Sequence, residues 1–104
     1  QKIVEKRYHD HHIEESGLSH IVYKSGKKLD KDRLAEFLYS LPSDVIRAKG
    51  FVLTYSGSFL MNFVFSRFDF EEFPAERNEL VFIGRNMNDH EGAMLNELRK
   101  CEVD

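Results

Sequence analysis

The period of the hydrophobic pattern changes once in mid-chain, and that change restricts the fold more than any other feature. Leu34, Phe37, Leu38 and Leu41 fall at i, i+3, i+4 and i+7, the single apolar stripe of a helix lying on a core. Asp30 stands at the N-cap position, Asp32 places an anion in the first turn, and Pro42 ends the helix. From Val45 onward the period falls to two. Phe51, Leu53 and Tyr55 alternate with Val52 and Thr54, and Ser56-Gly57-Ser58 then turns the chain into a hairpin. The return strand runs from Phe59 to Phe68, with Phe59, Met61, Phe63 and Phe65 on one apolar face that belongs in the interior.

The remaining segments fit around that unit. Leu18 to Ser25 reads as a strand closed by Gly26, and Asp69 to Asn78 as an acidic loop around Pro74. Glu79 to Ile83 is a compact apolar strand that stops at Gly84. Asn88-Asp89-His90-Glu91 has the spacing of a capping box and opens a helix with Met94, Leu95, Leu98 and Cys101 inside and His90 at the surface. The order β-α-β-β-β-α predicts an α+β fold, a four-stranded sheet with two helices on one face. If its first two strands are neighbours, the step between them is a right-handed parallel crossover. Residues 1–17, QKIVEKRYHDHHIEESG, hold no sustained period and end at a glycine; they read as a His-containing flexible linker or tail before a domain at 18–104.

A chain of 104 residues holds one core, and 41% hydrophobic with 32% charged residues places it among ordinary globular domains. The formal charge of −3 divides unevenly, +2 over residues 1–50 and −5 over residues 51–104, with a pI near 6.0. A nucleic-acid binder normally carries a clearly basic domain, so nucleic acid is not the expected partner. No apolar run is long enough to span a membrane, and Cys101 has no second cysteine to pair with, so a cytoplasmic protein is expected. The bland role of a small apolar packing residue suits Cys101.

The chemical inventory is sparse. Neither a phosphate-binding Gly-x-x-x-x-Gly-Lys-Ser/Thr loop nor a Gly-x-Gly-x-x-Gly fingerprint occurs, and no serine lies in a Gly-x-Ser-x-Gly elbow. On its own the chain reads as non-enzymatic, with no catalytic residue to name. The exception is His9-Asp10-His11-His12. Imidazoles at i, i+2 and i+3 can converge on a borderline cation such as Zn²⁺ or Co²⁺, with His20, Glu14 or Glu15 completing the shell.

Lys49-Gly50-Phe51 matches the start of the RNA-reading strand of an RRM, but Val52, Leu53 and Ser56 stand where that strand needs a small residue and further aromatics. An RRM also ends in a strand, whereas this chain ends in a helix. A stand-alone module binding RNA or a peptide strand is the alternative reading.

A longer view of the same stretch is more specific. Leu41-Pro42-Ser43-Asp44-Val45-Ile46-Arg47-Ala48-Lys49-Gly50-Phe51 resembles a segment of the CobW C-terminal domain family. Arg77-Asn78-Glu79-Leu80-Val81-Phe82-Ile83-Gly84 and the closing Leu95 to Cys101 (LNELRKC) are similar to two further blocks of that family, in the same order. The resemblance covers residues 18–103, although Leu53 stands where many members carry Trp. It implies a non-catalytic accessory domain whose parent is a P-loop GTPase with GTP and Mg²⁺ in a domain outside this chain. Members of the family are implicated as metallochaperones or metal insertases, including ones serving cobalamin synthesis. The implied partners are that GTPase domain, a client metalloprotein or a second copy. Arg47 and Lys49, which alternation places on one strand face with Phe51, are the candidate contact residues.

Overall fold

The structure is a computed structural model that describes residues 17–103. Its elements are β1 (Leu18–Ser25), β2 (Lys28–Leu29), α1 (Lys31–Tyr39), β3 (Val45–Thr54), β4 (Gly57–Val64), β5 (Arg67–Glu72), β6 (Asn78–Arg85), α2 (Met87–Lys100) and β7 (Glu102–Val103). All seven strands join one sheet in the order β1-β6-β3-β2-β7, with β4 and then β5 continuing from the opposite side of β3. Every pairing is antiparallel except that of β2 with β3.

The α+β class and the two helices on one face agree with expectation; the four-strand count does not. Two of the extra strands, β2 and β7, have two residues each, too short to carry a period. The third arises because the run from Phe59 to Phe68 is not one strand. Phe65 and Ser66 take positive φ values of 48° and 74°, as the central residues of a tight two-residue hairpin turn must, and the chain reverses there. Phe65 is consequently exposed, while Phe59, Met61 and Phe63 are buried. The first half of the expected acidic loop is strand β5, paired along its length with β4. β1 and β3 are not neighbours, because β6 lies between them, so the condition for a crossover between them is not met and the parallel step is β2-α1-β3.

The core lies between the helices and one sheet face. Ile21, Tyr23, Ala48, Val52, Met61, Phe63, Leu80 and Phe82 meet Leu34, Phe37 and Leu38 of α1 and Met87, Met94 and Leu98 of α2. Phe37 and Phe82 pack edge to face at 5.9 Å. α1 starts as the sequence implies, with the Arg33 N–H donating to Asp30 Oδ1 at 3.1 Å. α2 does not. It begins at Met87 behind Asn86, which is left-handed and makes no side-chain cap. The Ser19 hydroxyl oxygen on β1 accepts the Met87 N–H instead, at 3.1 Å, so the expected capping box at Asn88–Glu91 is replaced by a long-range cap.

The sheet forks beside β3. β6 follows β3 as far as the Phe51–Glu79 pair, and beyond it β2 takes over at Thr54. Fully buried Asn78 fills the fork. Its Oδ1 accepts the Leu53 N–H at 2.7 Å, and its Nδ2 donates to the carbonyls of Ser25 and Lys27. Backbones crowd here: a Cβ on Gly50 would sit 1.9 Å from the Glu79 carbonyl oxygen, and one on Gly84 would sit 2.1 Å from that of Asp44.

Candidate interaction surface

Alternation that buries one side of the sheet leaves the other side without a covering layer among the described residues. Across that face, register places side chains in rows. One row runs Val22, Val81, Lys49, Asn62 and Asp69 over β1, β6, β3, β4 and β5. The row on one side holds His20, Ile83, Arg47, Val64 and Arg67, and that on the other Lys24, Glu79, Phe51, Leu60 and Glu71.

Arg47 and Lys49 are thus exposed on the central strand beside Phe51. They border an open cleft of about 390 Å³ lined by Arg47, Ala48, Lys49, Val81 and Ile83. Apolar side chains continue around it: Val22 is 39% exposed and Val64 43%. Phe51 stacks on Phe73 with ring centroids 5.4 Å apart and an angle of 30° between planes. Phe73 is held by β4, whose Ser58 carbonyl accepts the Phe73 N–H while the Ser58 hydroxyl donates to the Phe73 carbonyl at 2.7 Å. Sequence reasoning missed Phe73 because it sits among acidic residues next to Pro74; a lone aromatic in a charged loop was the available signal. Phe59 and Phe63 are in the core, so they offer no exposed aromatic surface.

The other chemistry-bearing groups hold structure. Asp44 Oδ2 accepts a hydrogen bond from the His90 Nε2–H at 2.8 Å, so His90 is half-buried and engaged rather than a plain surface residue. That bond, with a lesser one from Asn86, holds the Asp44 carboxyl below its ordinary range. The Asp44 carbonyl accepts the Arg85 N–H at 2.9 Å, so one residue ties the loop before β3 to the corner between β6 and α2. Tyr23 donates to Glu102 Oε2 at 2.7 Å, and burial, followed by that bond, pushes the phenol upward. Cys101 is buried as expected of a packing residue, and burial, with Glu97 next, pushes its thiol up to about 11. It therefore carries almost no thiolate at neutral pH and is a poor nucleophile. Among the described residues no group of three or more His, Cys, Asp or Glu could hold a metal ion, and no helix is long and apolar enough to cross a membrane. His9, His11 and His12 lie outside the described residues.

Two helices beneath a forked sheet, with the far face uncovered among the described residues and carrying apolar and charged side chains together, define an α+β domain with an exposed sheet surface. The chain belongs to the family described as the cobalamin synthesis protein cobW C-terminal domain, whose model matches residues 18–102. Among solved structures it is similar to the Zn(II)-bound YjiA GTPase from E. coli, with a TM-score of 0.66 and 16% identity over 84% of this chain. It is also similar to a Zn(II)-bound triple mutant of the YjiA GTPase, with a TM-score of 0.70 and 15% identity over 84% of this chain. This chain spans about 30% of the length of each. At these identities the likeness is one of fold. A search of curated proteins finds no match.

Proposed function

We propose that this chain is the non-catalytic C-terminal accessory domain of a CobW-type GTP-dependent metallochaperone, and that the uncovered sheet face is its protein-docking surface. The observation that carries the reading is the coincidence of the family match with that face, where Arg47 and Lys49 flank an apolar cleft. Apolar centres edged with charge are what protein interfaces use, the apolar area supplying energy and the charges register. The partner is the GTPase domain of the same parent, a client metalloprotein or a second copy. GTP and Mg²⁺ belong to the GTPase domain, none of whose motifs is in this chain. His9, His11 and His12 would hold Zn²⁺ or Co²⁺, since three imidazoles with Asp10 form a nitrogen-rich donor set suited to those ions.

Two measurements test the reading. A P-loop GTPase encoded in frame upstream of Gln1 is expected; a start codon near Lys2 would favour a self-contained binding module. In the full-length protein, Arg47→Ala with Lys49→Ala is expected to weaken client binding or change the GTPase rate. If both stay unchanged, those two residues are not contact residues.

A further inference from the structure

The uncovered face carries opposite charges that are not paired with one another. In the middle row Lys49 of β3 and Asp69 of β5 are separated by Asn62 of β4, two strand spacings or about 9.6 Å. No ion pair joins them, and neither side chain has a hydrogen bond or ion pair among the described residues. Arg47 and Glu71, in the two outer rows on opposite sides of that one, are unpaired as well. Between β3 and β5 runs β4, which presents Leu60, Asn62 and Val64. In the middle row a cation on β3 and an anion on β5 stand at equal distances on either side of β4, so that row is complementary to itself.

We propose that this face docks a second copy of the chain, with a two-fold axis lying along β4. This deepens the docking-surface reading and rests on it. The two-fold sets β3 of each copy over β5 of the other, so Lys49 meets the partner's Asp69, and the reciprocal contact forms at the same time. Leu60, Asn62 and Val64 each lie on their own symmetry mates, and Phe51 faces the partner's Glu71. The same geometry sets Arg47 near the partner's Arg67, an unfavourable contact that limits affinity. Only β3, β4 and β5 overlap, roughly 15 Å by 20 Å or on the order of 300 Å² per copy, below the standard interface size and suited to a weak encounter. A weak, salt-sensitive dimer follows, forming only at high protein concentration.

The test is sedimentation equilibrium of the full 104-residue chain in EDTA, which removes metal-linked association. The wild type is expected to rise toward twice its 12.2 kDa mass as concentration increases and to fall back in 0.5 M salt. Lys49→Asp alone and Asp69→Lys alone should each raise the dissociation constant at least tenfold. An equimolar mixture of the two variants should dimerise again, because in the mixed pair both reciprocal contacts regain opposite charges. Arg67→Glu should tighten the dimer. Circular dichroism on each variant keeps folding separate from association. A folded wild type that stays monomeric overturns the proposal while leaving the accessory-domain reading to the full-length assays. A dimer indifferent to Lys49→Asp, or a mixture that stays monomeric, overturns it too.

Discussion

The Asn78 side-chain carbonyl accepts the Leu53 backbone N–H at 2.7 Å, and through that bond one side chain stands in for a missing stretch of strand. Leu53 lies past the last β3–β6 pair and before the single β2–β3 pair, so no neighbouring backbone carbonyl serves it in the ladder. The Asn78 amide reaches the other way, to Ser25 and Lys27 at the turn between β1 and β2. A carboxamide suits the position because it offers an acceptor and two donors at once.

Removing that side chain leaves the Leu53 N–H and two carbonyls without their partner. Asn78→Ala should cost about 2–4 kcal/mol, the sum of several unsatisfied buried groups softened by relaxation. Asn78→Asp should cost at least as much, because a carboxylate faces two carbonyl oxygens that need donors. Urea denaturation followed by circular dichroism measures both. A loss under about 0.5 kcal/mol for the alanine variant would mean that the fork is closed by something else.

Glycines separate cleanly by position. Gly50, at φ 152°, has the Glu79 carbonyl where a Cβ would go, so Gly50→Ala must part β3 from β6 and should cost about 3 kcal/mol or more. Gly92 lies in the exposed part of α2 with open space around it, and Gly92→Ala should stabilise by about 0.5–1 kcal/mol. Opposite signs in the same denaturation assay are the expected result.

Much of this was legible because the relevant signals are local. The helical stripe of α1, a hairpin after β3 and the apolar strand β6 all appear in the structure, although the turn falls at Tyr55–Ser56 and Gly57-Ser58 already belong to β4. The two longest family-like blocks turn out to be paired strands: Ala48 faces Phe82 and Gly50 faces Leu80 across β3 and β6. What escaped depends on partners far away in sequence. β2 and β7 are strands only because β3 and each other are there to bond them. The Phe65–Ser66 turn has none of the Gly, Asn or Asp that usually marks positive φ. The cap of α2 comes from Ser19, 68 residues away, and local pattern cannot show it. On the candidate surface, alternation placed Arg47, Lys49 and Phe51 on one face, but Phe73 joins them through loop hydrogen bonds that no periodicity encodes.

The Asp44–His90 contact predicts an acid limb in stability. The His90 hydrogen bond holds the Asp44 carboxyl below its ordinary value of 3.8 in the folded state. A group depressed on folding contributes fully above its unfolded value and loses that contribution as pH falls through the folded one. Part of the decline below about pH 4 therefore belongs to Asp44. Asp44→Asn should show a shallower fall in urea midpoint between pH 6 and pH 2.5 than the wild type. Equal slopes would remove Asp44 from the acid limb.

Metal capture, if this chain performs it, has one candidate place. The described residues gather no set of three potential ligands, whereas His9, His11 and His12 fall within four positions of one another. Imidazole must be neutral to bind, so uptake should weaken as pH drops below about 6.5. Isothermal titration of the chain with zinc at pH 7.5 should give a heat that the His9/His11/His12→Ala variant lacks, and the wild-type heat should shrink at pH 5.5. Because these substitutions lie outside the domain matched at 18–102, the urea midpoint should not move without metal. Equal zinc heats from the two proteins would sink the His cluster as the site and direct attention to ligands shared with another domain or a second copy.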